Sequence, residues 1–317
     1  MKILLFGKNG QLGRELQRVL GQLGSMISFG RMDIDFRDLA RLTRCVLDEQ
    51  PDIIVNAAAY TLVDAAESAD GGKIASAINT DAVGVIAAAA KTVGALFIHY
   101  STDYVFDGNK EDSAYLEEDQ ANPINVYGRT KSAGENLIRD VSGEHIIIRS
   151  SWLYSLYRNT FPLIILEKAL SGHDIDVVVD SVGAPTSVRL LADVTLLAIY
   201  RSVTDASFRR NIVGTYHVAA CGSVSWYEYA RTVLVIAKQN GLPVLTTAES
   251  IRPIVRAFSH RAAMRPKSSL LDSGKIENVL GIKMAPWSQD VALLVSDISR
   301  GYALSAYAAP SFDELRR

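Results

Sequence analysis

The architecture of this chain follows from a stretch near its start, KILLFGKNGQLG at residues 2–13. A short apolar run ends in Gly7, two more glycines follow at positions 10 and 13, and a helical pattern of leucines comes next. Glycines at this spacing permit a tight turn, close backbone approach to a diphosphate and close helix packing. The pattern predicts a cofactor-binding turn, with three glycines as candidate contacts: Gly7, Gly10 and Gly13.

The first half of the chain alternates strand and helix patterns. Strands are predicted at residues 2–6, 26–29, 53–55, 96–100 and 145–149, and helices at 12–23, 38–50, 72–93 and 124–140. The strands are apolar on both faces, which suits a parallel sheet covered by helices on each side. The prediction is an α/β fold with a doubly wound parallel sheet, whose ligands bind beyond the carboxyl ends of the strands.

The second half is less regular and predicts a smaller, discontinuous C-terminal domain for the substrate. Elements are predicted at 160–170, 175–179, 188–201, 215–219 and 225–238, with a loop-rich stretch at 241–269 and a last helix beyond Pro286. Residues 1–150, joined by part of 188–220, are expected to form the dinucleotide-binding domain. Residues 151–187 and 221–300 are expected to form the second domain, and 301–317 a poorly ordered tail.

Composition excludes several classes of protein. The 317 residues are 48% hydrophobic and 21% charged, which is ordinary for a globular chain. The net charge of −2 offers no basic excess for a nucleic-acid backbone. The alanine-rich run at 82–90 is interrupted on both sides by charge, so no membrane span is predicted. Two cysteines, Cys45 and Cys221, are expected to be buried free thiols in a cytoplasmic protein.

The second predicted strand ends without an acidic residue at its tip. Dinucleotide folds usually place an acid there to bind the ribose 2′-hydroxyl. Here Arg31 stands in that region, where a guanidinium suits the 2′-phosphate of NADP. A solvated loop arginine is the alternative interpretation. The pattern favours NADPH without excluding NADH.

Two later segments carry the groups that chemistry needs. The fourth strand runs into the polar segment YSTDY at 100–104, and Tyr127 stands four residues before Lys131 in a predicted helix. Positions i and i+4 share one helix face. We expect the lysine ammonium to lower the pKa of the phenol, which then donates a proton as hydride reaches a neighbouring carbon.

Taken together, these segments resemble the extended short-chain dehydrogenase/reductase family, which has a Rossmann-type fold. The resemblance extends to about residue 300 and rests on LLFGKNGQLGREL, PDIIVNAAAYTLVDAAE, HYSTDYVFDG, NVYGRTKSAGE, RSSWLY, GAPTS and RPKSSLL. It implies reduction by NADPH or NADH of the C4 keto group of a dTDP-linked 6-deoxy sugar.

The resemblance also implies roles for individual residues. Thr102, Tyr127 and Lys131 match the catalytic triad: Tyr127 as proton donor, Lys131 on the nicotinamide ribose and Thr102 on the C4 carbonyl. The diphosphate turn matches Gly10, Gln11 and Leu12. Further cofactor contacts match Asp35, Phe36, Ala59, Tyr60, Thr61 and Tyr100, and substrate contacts match Thr102, Asp103 and Trp152. Trp152 as a core aromatic is the alternative.

Some members of the family hold Mg²⁺ between subunits with acidic residues. Glu15 matches one of these acids, but Arg189 stands where another is expected. A cation is unfavourable beside Mg²⁺, so we expect no metal here and leave a homodimer open.

Two other functions remain open from the sequence. One is a related 4-ketoreductase that gives the C4 epimer. The other is a non-catalytic NADP-binding subunit, like the regulatory subunit of methionine adenosyltransferase. The triad favours catalysis, because a binding subunit has no physical need for the Tyr127–Lys131 pair. A dehydratase is disfavoured because Asp103-Tyr104 lacks the Asp-Glu pair.

Overall fold

A computed structural model describes residues 1–110, 113–141, 143–157, 159–255 and 261–301. The predicted tail, apart from residue 301, lies outside the described residues. The strands are β1 Lys2–Phe6, β2 Ser25–Phe29, β3 Ile53–Asn56, β4 Leu96–Thr102, β5 His145–Ser150, β6 Leu153–Tyr154, β7 Asp176–Val178, β8 Val182–Gly183, β9 Thr186–Ser187, β10 Gly214–His217, β11 Val224–Ser225 and β12 Arg252–Ile254. The α-helices are α1 Gln11–Leu20, α2 Leu39–Glu49, α3 Val63–Ala66, α4 Ala69–Ser76, α5 Ala82–Val93, α6 Val126–Val141, α7 Phe161–Leu170, α8 Val188–Thr204, α9 Ala206–Asn211, α10 Trp226–Gln239, α11 Gly274–Leu280 and α12 Trp287–Ser299.

Six of the strands form one parallel sheet, in the order β2-β1-β3-β4-β5-β10. The strand order reverses between β1 and β3, because β2 follows β1 to one side and the later strands lie on the other. Open α/β sheets bind ligands beyond the carboxyl ends of their strands at such a reversal. The predicted doubly wound α/β fold is confirmed.

Hydrophobic cores cover both faces of this sheet. One core joins the sheet to α1, α8 and α11, and the other joins it to α2, α5 and α6. A separate core lies between α7, α10 and α12, in the second half of the chain. The short helix α11 was not predicted, and it packs on the first core although its segment was expected in the second domain. Its seven residues are too few for helical periodicity to identify.

One helical segment, Ala69–Val93, has the length and mean hydropathy of a membrane span. It is the predicted helix of residues 72–93, interrupted by a π-helical turn at Ala77–Asp81. Its side chains Val83, Ile86 and Ala90 are fully or almost fully buried in the sheet-facing core. Packing against the sheet therefore accounts for its apolar composition.

The cysteine prediction is half wrong. Cys45 in α2 is partly buried, but Cys221 is exposed in the loop after β10. Both are free thiols. The flanking apolar residues that suggested burial for Cys221, Val218 to Ala220, are themselves buried, but the chain turns outward at the next position.

A buried ion pair fastens α6 to the sheet. The Arg149 guanidinium of β5 donates to both carboxylate oxygens of Glu135, over 2.9 and 2.7 Å. Both side chains are almost fully buried. Removing one partner of such a pair is costly because the other charge is left buried and uncompensated.

Glu135→Gln should therefore lower the free energy of unfolding by about 3–5 kcal/mol. The matched control is Glu144→Gln, which breaks the partly exposed Glu144–Arg209 pair and should cost no more than about 1 kcal/mol. Urea unfolding of both variants measures the difference. Similar small losses in the two would contradict a structural role for the buried pair.

Candidate functional site

The glycine turn after β1 is shaped by two close backbone approaches. Gly7 has φ +90°, and a Cβ there would lie 2.6 Å from the backbone of Ala57, which follows β3. A Cβ at Gly13 would lie 2.0 Å from the Gly7 carbonyl oxygen. Helix α1 begins after Gly10 with no side-chain cap, so its first N–H groups are free to bind an anion. The turn therefore fits a dinucleotide diphosphate.

The side chain of Gln11 joins this turn to the second half of the chain. Its amide oxygen accepts a hydrogen bond from the Ser155 hydroxyl over 2.7 Å. Leu12, the next residue, is buried in the core under the sheet. Any cofactor contact by Leu12 must therefore come from its backbone.

The structure corrects the view that the tip of β2 lacks an acid. The Asp33 carboxylate turns back on the strand tip, where it accepts from the Gly30 N–H over 2.6 Å and from the Lys8 ammonium over 2.8 Å. These two donors lower the pKa of Asp33, with Lys8 the larger cause. Sequence reasoning examined only the residues at the strand end and missed this turn of three residues.

The other predicted cofactor contacts near β2 are divided between surface and core. Arg31 and Asp35 are exposed, and Asp35 forms a bidentate pair with Arg37. Phe36 is buried, with its ring edge against Phe6 at 5.5 Å between centroids. Of these residues, Arg31 and Asp35 are the ones accessible to a ligand.

The loop after β3 is held by a residue that sequence reasoning missed. Asn79, in the π-helical turn, accepts from the Tyr60 N–H over 2.9 Å and donates to the Tyr60 carbonyl over 3.1 Å. Its amide also donates to the Thr130 hydroxyl of α6. Asn79 thus fixes the predicted contacts Ala59, Tyr60 and Thr61 relative to α6. A π-turn in a long helix is a signal that only coordinates reveal.

The predicted lysine is buried under the carboxyl end of β4. The Lys131 Nζ donates to the Tyr100 carbonyl over 2.6 Å and lies 3.0 Å from the His99 Nε2. Burial lowers the pKa of Lys131 to about 8, against the opposing effect of Glu135. The Tyr100 side chain points the other way, to the Thr195 hydroxyl of α8.

Thr102 and Asp103 form a buried polar pair at the end of β4. The Thr102 hydroxyl donates to one carboxylate oxygen of Asp103 over 3.0 Å, and the Ser269 hydroxyl donates to the other over 2.5 Å. Burial raises the pKa of Asp103 to about 6, although both hydroxyl groups oppose the shift. Ser269 was not singled out from the sequence, although it lies in RPKSSLL.

Tyr127 lies in the first turn of α6, beside this pair. Its ring meets the Tyr104 ring edge-on at 5.7 Å. Burial and the Asp103 charge raise the pKa of Tyr127 to about 12, and the Thr102 hydroxyl opposes the shift. The expected lowering of this pKa by Lys131 is not found: the Nζ of Lys131 is directed at the Tyr100 carbonyl and His99, and its charge does not contribute to the shift of Tyr127. The phenol therefore keeps its proton at neutral pH, which suits a proton donor.

Gly128 allows this close arrangement. A Cβ at Gly128 would lie 2.1 Å from the Tyr104 carbonyl oxygen, so only glycine lets α6 approach the turn after β4. The Asn125 side chain caps the helix by accepting from the Gly128 N–H. Its amide group donates to the Met264 carbonyl, which ties the start of α6 to the loop-rich segment.

Trp152 follows β5 and packs on the core of the second half of the chain. It has φ +47°, and its ring stacks on Trp226 of α10 with centroids 3.6 Å apart. The ring also covers Gly183, where a Cβ would lie 2.4 Å from it. Trp152 is partly buried, so this geometry accommodates both a packing role and the predicted substrate contact.

The surroundings of Glu15 do not fit a divalent cation. Its buried carboxylate lies 2.7 Å from the Arg18 Nε and 3.8 Å from the Arg189 Nε. Arg189 also pairs with Asp297. Two guanidinium groups already compensate the Glu15 charge. Over the described part of the chain, no group of three His, Cys, Asp or Glu side chains is arranged to hold a metal.

Comparison with known proteins identifies the family to which this fold and site correspond. A family model described as "RmlD substrate binding domain" matches residues 1–300. The chain is 39% identical over 302 residues to dTDP-4-dehydrorhamnose reductase of Escherichia coli (strain K12), covering 94% of this chain and 98% of the relative. It is 38% identical over 300 residues to the enzyme of that name from Burkholderia thailandensis, covering 94% and 99%. The crystal structure of dTDP-4-dehydrorhamnose reductase from Bacillus anthracis in complex with NADP has a TM-score of 0.81 at 30% identity, covering 92% of this chain and 98% of that one.

The raised pKa of Asp103 predicts a pH-dependent cost to folding. Because its folded pKa of about 6 exceeds the ordinary 3.8, the folded state binds the proton first, and stability falls as pH rises through this interval. Asp103→Asn removes that loss. Between pH 4 and 8, the free energy of unfolding of the variant minus that of the parent should rise by up to about 3 kcal/mol.

Asp107→Asn is the control, since the Asn109 N–H and other donors lower the pKa of Asp107. Because this pKa lies below the ordinary 3.8, the difference for this variant should stay nearly flat between pH 4 and 8 and should change only at lower pH. Denaturant unfolding across the pH range measures both. A flat difference for Asp103→Asn would contradict the raised pKa.

Proposed function

The chain belongs to the RmlD substrate binding domain family, and from that premise we propose that it reduces the C4 keto group of dTDP-4-dehydro-β-L-rhamnose, giving dTDP-L-rhamnose, with NADPH or NADH as the cofactor. The observation that carries the proposal is the meeting of Thr102, Tyr127 and Lys131 at the carboxyl end of β4. Relatives that match almost the whole chain bear the name of this reductase.

The proton in the proposed reaction comes from Tyr127. A reduced nicotinamide supplies a hydride to C4 when it is bound. The Tyr127 phenol, protonated at neutral pH, donates its proton to the developing C4 oxyanion. Its position in the first turn of α6, beside Thr102, places donor and hydrogen-bonding hydroxyl on one side of the site.

Thr102 and Asp103 orient the keto group in this proposal. The Thr102 proton is directed to Asp103, so donation to the C4 oxygen requires the hydroxyl to rotate or Asp103 to be protonated. Ser269 holds the other oxygen of Asp103 and thereby fixes the carboxylate. Trp152 would supply an apolar surface for the substrate from the second half of the chain.

Lys131 and the glycine turn serve the cofactor. The turn at Gly7–Gly13 and the uncapped start of α1 suit the diphosphate. Lys131 would contact the nicotinamide ribose, from its position under Tyr100. Lys8 neutralises Asp33 at the tip of β2, which reduces the repulsion that an isolated acid would exert on a 2′-phosphate.

The proposed cofactor-binding and substrate-binding domains correspond to the separate hydrophobic cores. Residues 1–150 with part of 188–220 hold the cofactor, and residues 151–187 and 221–300 hold the dTDP-sugar, with α11 packed on the cofactor half. The proposed setting is the cytoplasm; the long apolar helix is buried in a core and does not oppose this. A homodimer is compatible with this arrangement.

The test of the function is NADPH oxidation with dTDP-4-dehydro-β-L-rhamnose, followed by product analysis by NMR. Formation of dTDP-L-rhamnose supports the proposal. The C4 epimer as product would show the related ketoreductase instead. Cofactor binding without turnover would show a regulatory subunit.

Tyr127→Phe should keep cofactor affinity and lose turnover by about 10²–10⁴-fold, because the proton donor is gone. The neighbouring Tyr104→Phe is the matched control, since it removes a phenol of the same ring pair and should retain turnover within about threefold. Steady-state kinetics and fluorescence titration of NADPH measure both effects. A normal rate in Tyr127→Phe would refute the assignment.

Arg31→Ala should weaken NADPH binding more than NADH binding, since this exposed arginine follows the tip of β2, where a 2′-phosphate is expected. A loss of about 1–2 kcal/mol for NADPH alone is expected for one partly solvated charge pair. Arg44→Ala, an exposed arginine of α2, is the control and should change neither affinity. Equal losses for the two cofactors would remove the role in discrimination.

A further inference from the structure

The catalytic edge of β4 contains a buried histidine with no part in the proposed reaction. His99 is fully buried, and its two ring nitrogens meet different groups. Nε2 lies 3.0 Å from the Lys131 Nζ, and Nδ1 lies 3.2 Å from the Asn56 amide nitrogen of β3. The three side chains form a continuous buried chain from β3 to α6.

The backbone determines the orientation of the Asn56 amide. Its oxygen accepts from the Ala58 N–H over 3.1 Å, so its NH₂ group faces His99. The flipped amide would set its NH₂ group against the Ala58 N–H and lose that bond. Asn56 therefore donates to the Nδ1 of His99, which must be the unprotonated nitrogen.

This contact determines the tautomer of His99. Burial, the larger cause, holds the pKa of His99 well below its ordinary value, so the ring is neutral whichever charge Lys131 carries. A neutral imidazole with a free Nδ1 carries its proton on Nε2. The Nε2–H of His99 then points at the Nζ of Lys131.

Only one form of Lys131 is satisfied by this arrangement. An ammonium has three donors and no lone pair, so it would place N–H against N–H at 3.0 Å. A neutral amine accepts from the His99 Nε2–H and still donates to the Tyr100 carbonyl. We propose that His99, oriented by Asn56, is a positioning residue that favours the neutral amine of Lys131 and so controls the charge of the catalytic lysine.

The other titratable groups near Lys131 either oppose the effect of His99 on the lysine or do not change it. Glu135, on the next turn of α6, raises the pKa of Lys131, but its carboxylate is bound by Arg149. Tyr127, one turn earlier, keeps its proton at neutral pH. On β4 the Tyr100 phenol points away to Thr195. His99 is therefore the group that presents a donor to the lysine.

The inference rests on the proposed function only in calling Lys131 catalytic, and its first test needs no substrate. Long-range ¹H–¹⁵N NMR of the ¹⁵N-histidine-labelled protein reports which ring nitrogen of His99 carries the proton. We expect Nε2–H between pH 6 and 9. An Nδ1–H tautomer would overturn the proposal whatever the catalytic activity.

The second test is the titration of Lys131 by NMR of lysine labelled at Cε and Nζ. His99→Gln offers a carbonyl oxygen to an ammonium, so the Lys131 pKa should rise by about one unit or more above the value of about 8 in the parent. His145→Gln is the matched control, because His145 stands at the start of β5 and bonds the Gly143 carbonyl. It should leave the Lys131 titration unchanged.

Kinetics separate positioning from a structural effect. In His99→Gln, the alkaline limb of the pH profile for NADPH affinity should move upward together with the Lys131 titration. A uniform loss at every pH, with no shift of the limb, would overturn the proposal. If His99→Gln does not fold, the His99 tautomer measured in the parent protein still tests the proposal. If the His99 tautomer and the Lys131 titration are as expected but the protein reduces no ketone, the proposed function is refuted and the inference about His99 stands.

Discussion

The close contact between α6 and the carboxyl end of β4 is the constraint on which the site depends. Lys131 reaches the Tyr100 carbonyl, and Gly128 lies against the Tyr104 carbonyl with no room for a Cβ. Because Tyr127 directly precedes Gly128 in the first turn of the helix, its phenol is fixed beside Thr102. A helix even one side-chain thickness further away would separate the phenol from the groups with which it acts.

Burial at the carboxyl end of β4 shifts the pKa values of most titratable groups there in the same sense. A carboxylate, a phenol and an amine are all shifted towards their neutral forms, since desolvation disfavours charge. Glu135 is the exception, because the bidentate Arg149 keeps its pKa low. The ion pair holds α6 in place, while the groups at the carboxyl end of β4 have pKa values shifted by burial. Structure and chemistry are thus assigned to different side chains on one helix.

At the glycine-turn edge of the sheet, backbone groups and side chains have different roles. The glycine turn and the start of α1 offer backbone N–H groups to a diphosphate, which any dinucleotide possesses. In the proposed function, discrimination between dinucleotides falls to side chains at the tip of β2, where Asp33 and Lys8 compensate each other beside the exposed Arg31. Mixed charge at this tip fits a chain whose sequence favours NADPH without excluding NADH.

Local patterns were sufficient for the strands and longer helices of the first half, the glycine turn and the Tyr127–Lys131 spacing, since each depends on residues a few positions apart. Short elements such as α11 escaped because seven residues show too little periodicity. The charge on Lys131 and the surroundings of Asp103 could not be predicted, because they depend on contacts with His99, 32 positions away, and Ser269, 166 positions away. Protonation depends on burial and on which donors face a group. Those are properties of the folded chain, whereas order and spacing along the chain are already present in the sequence.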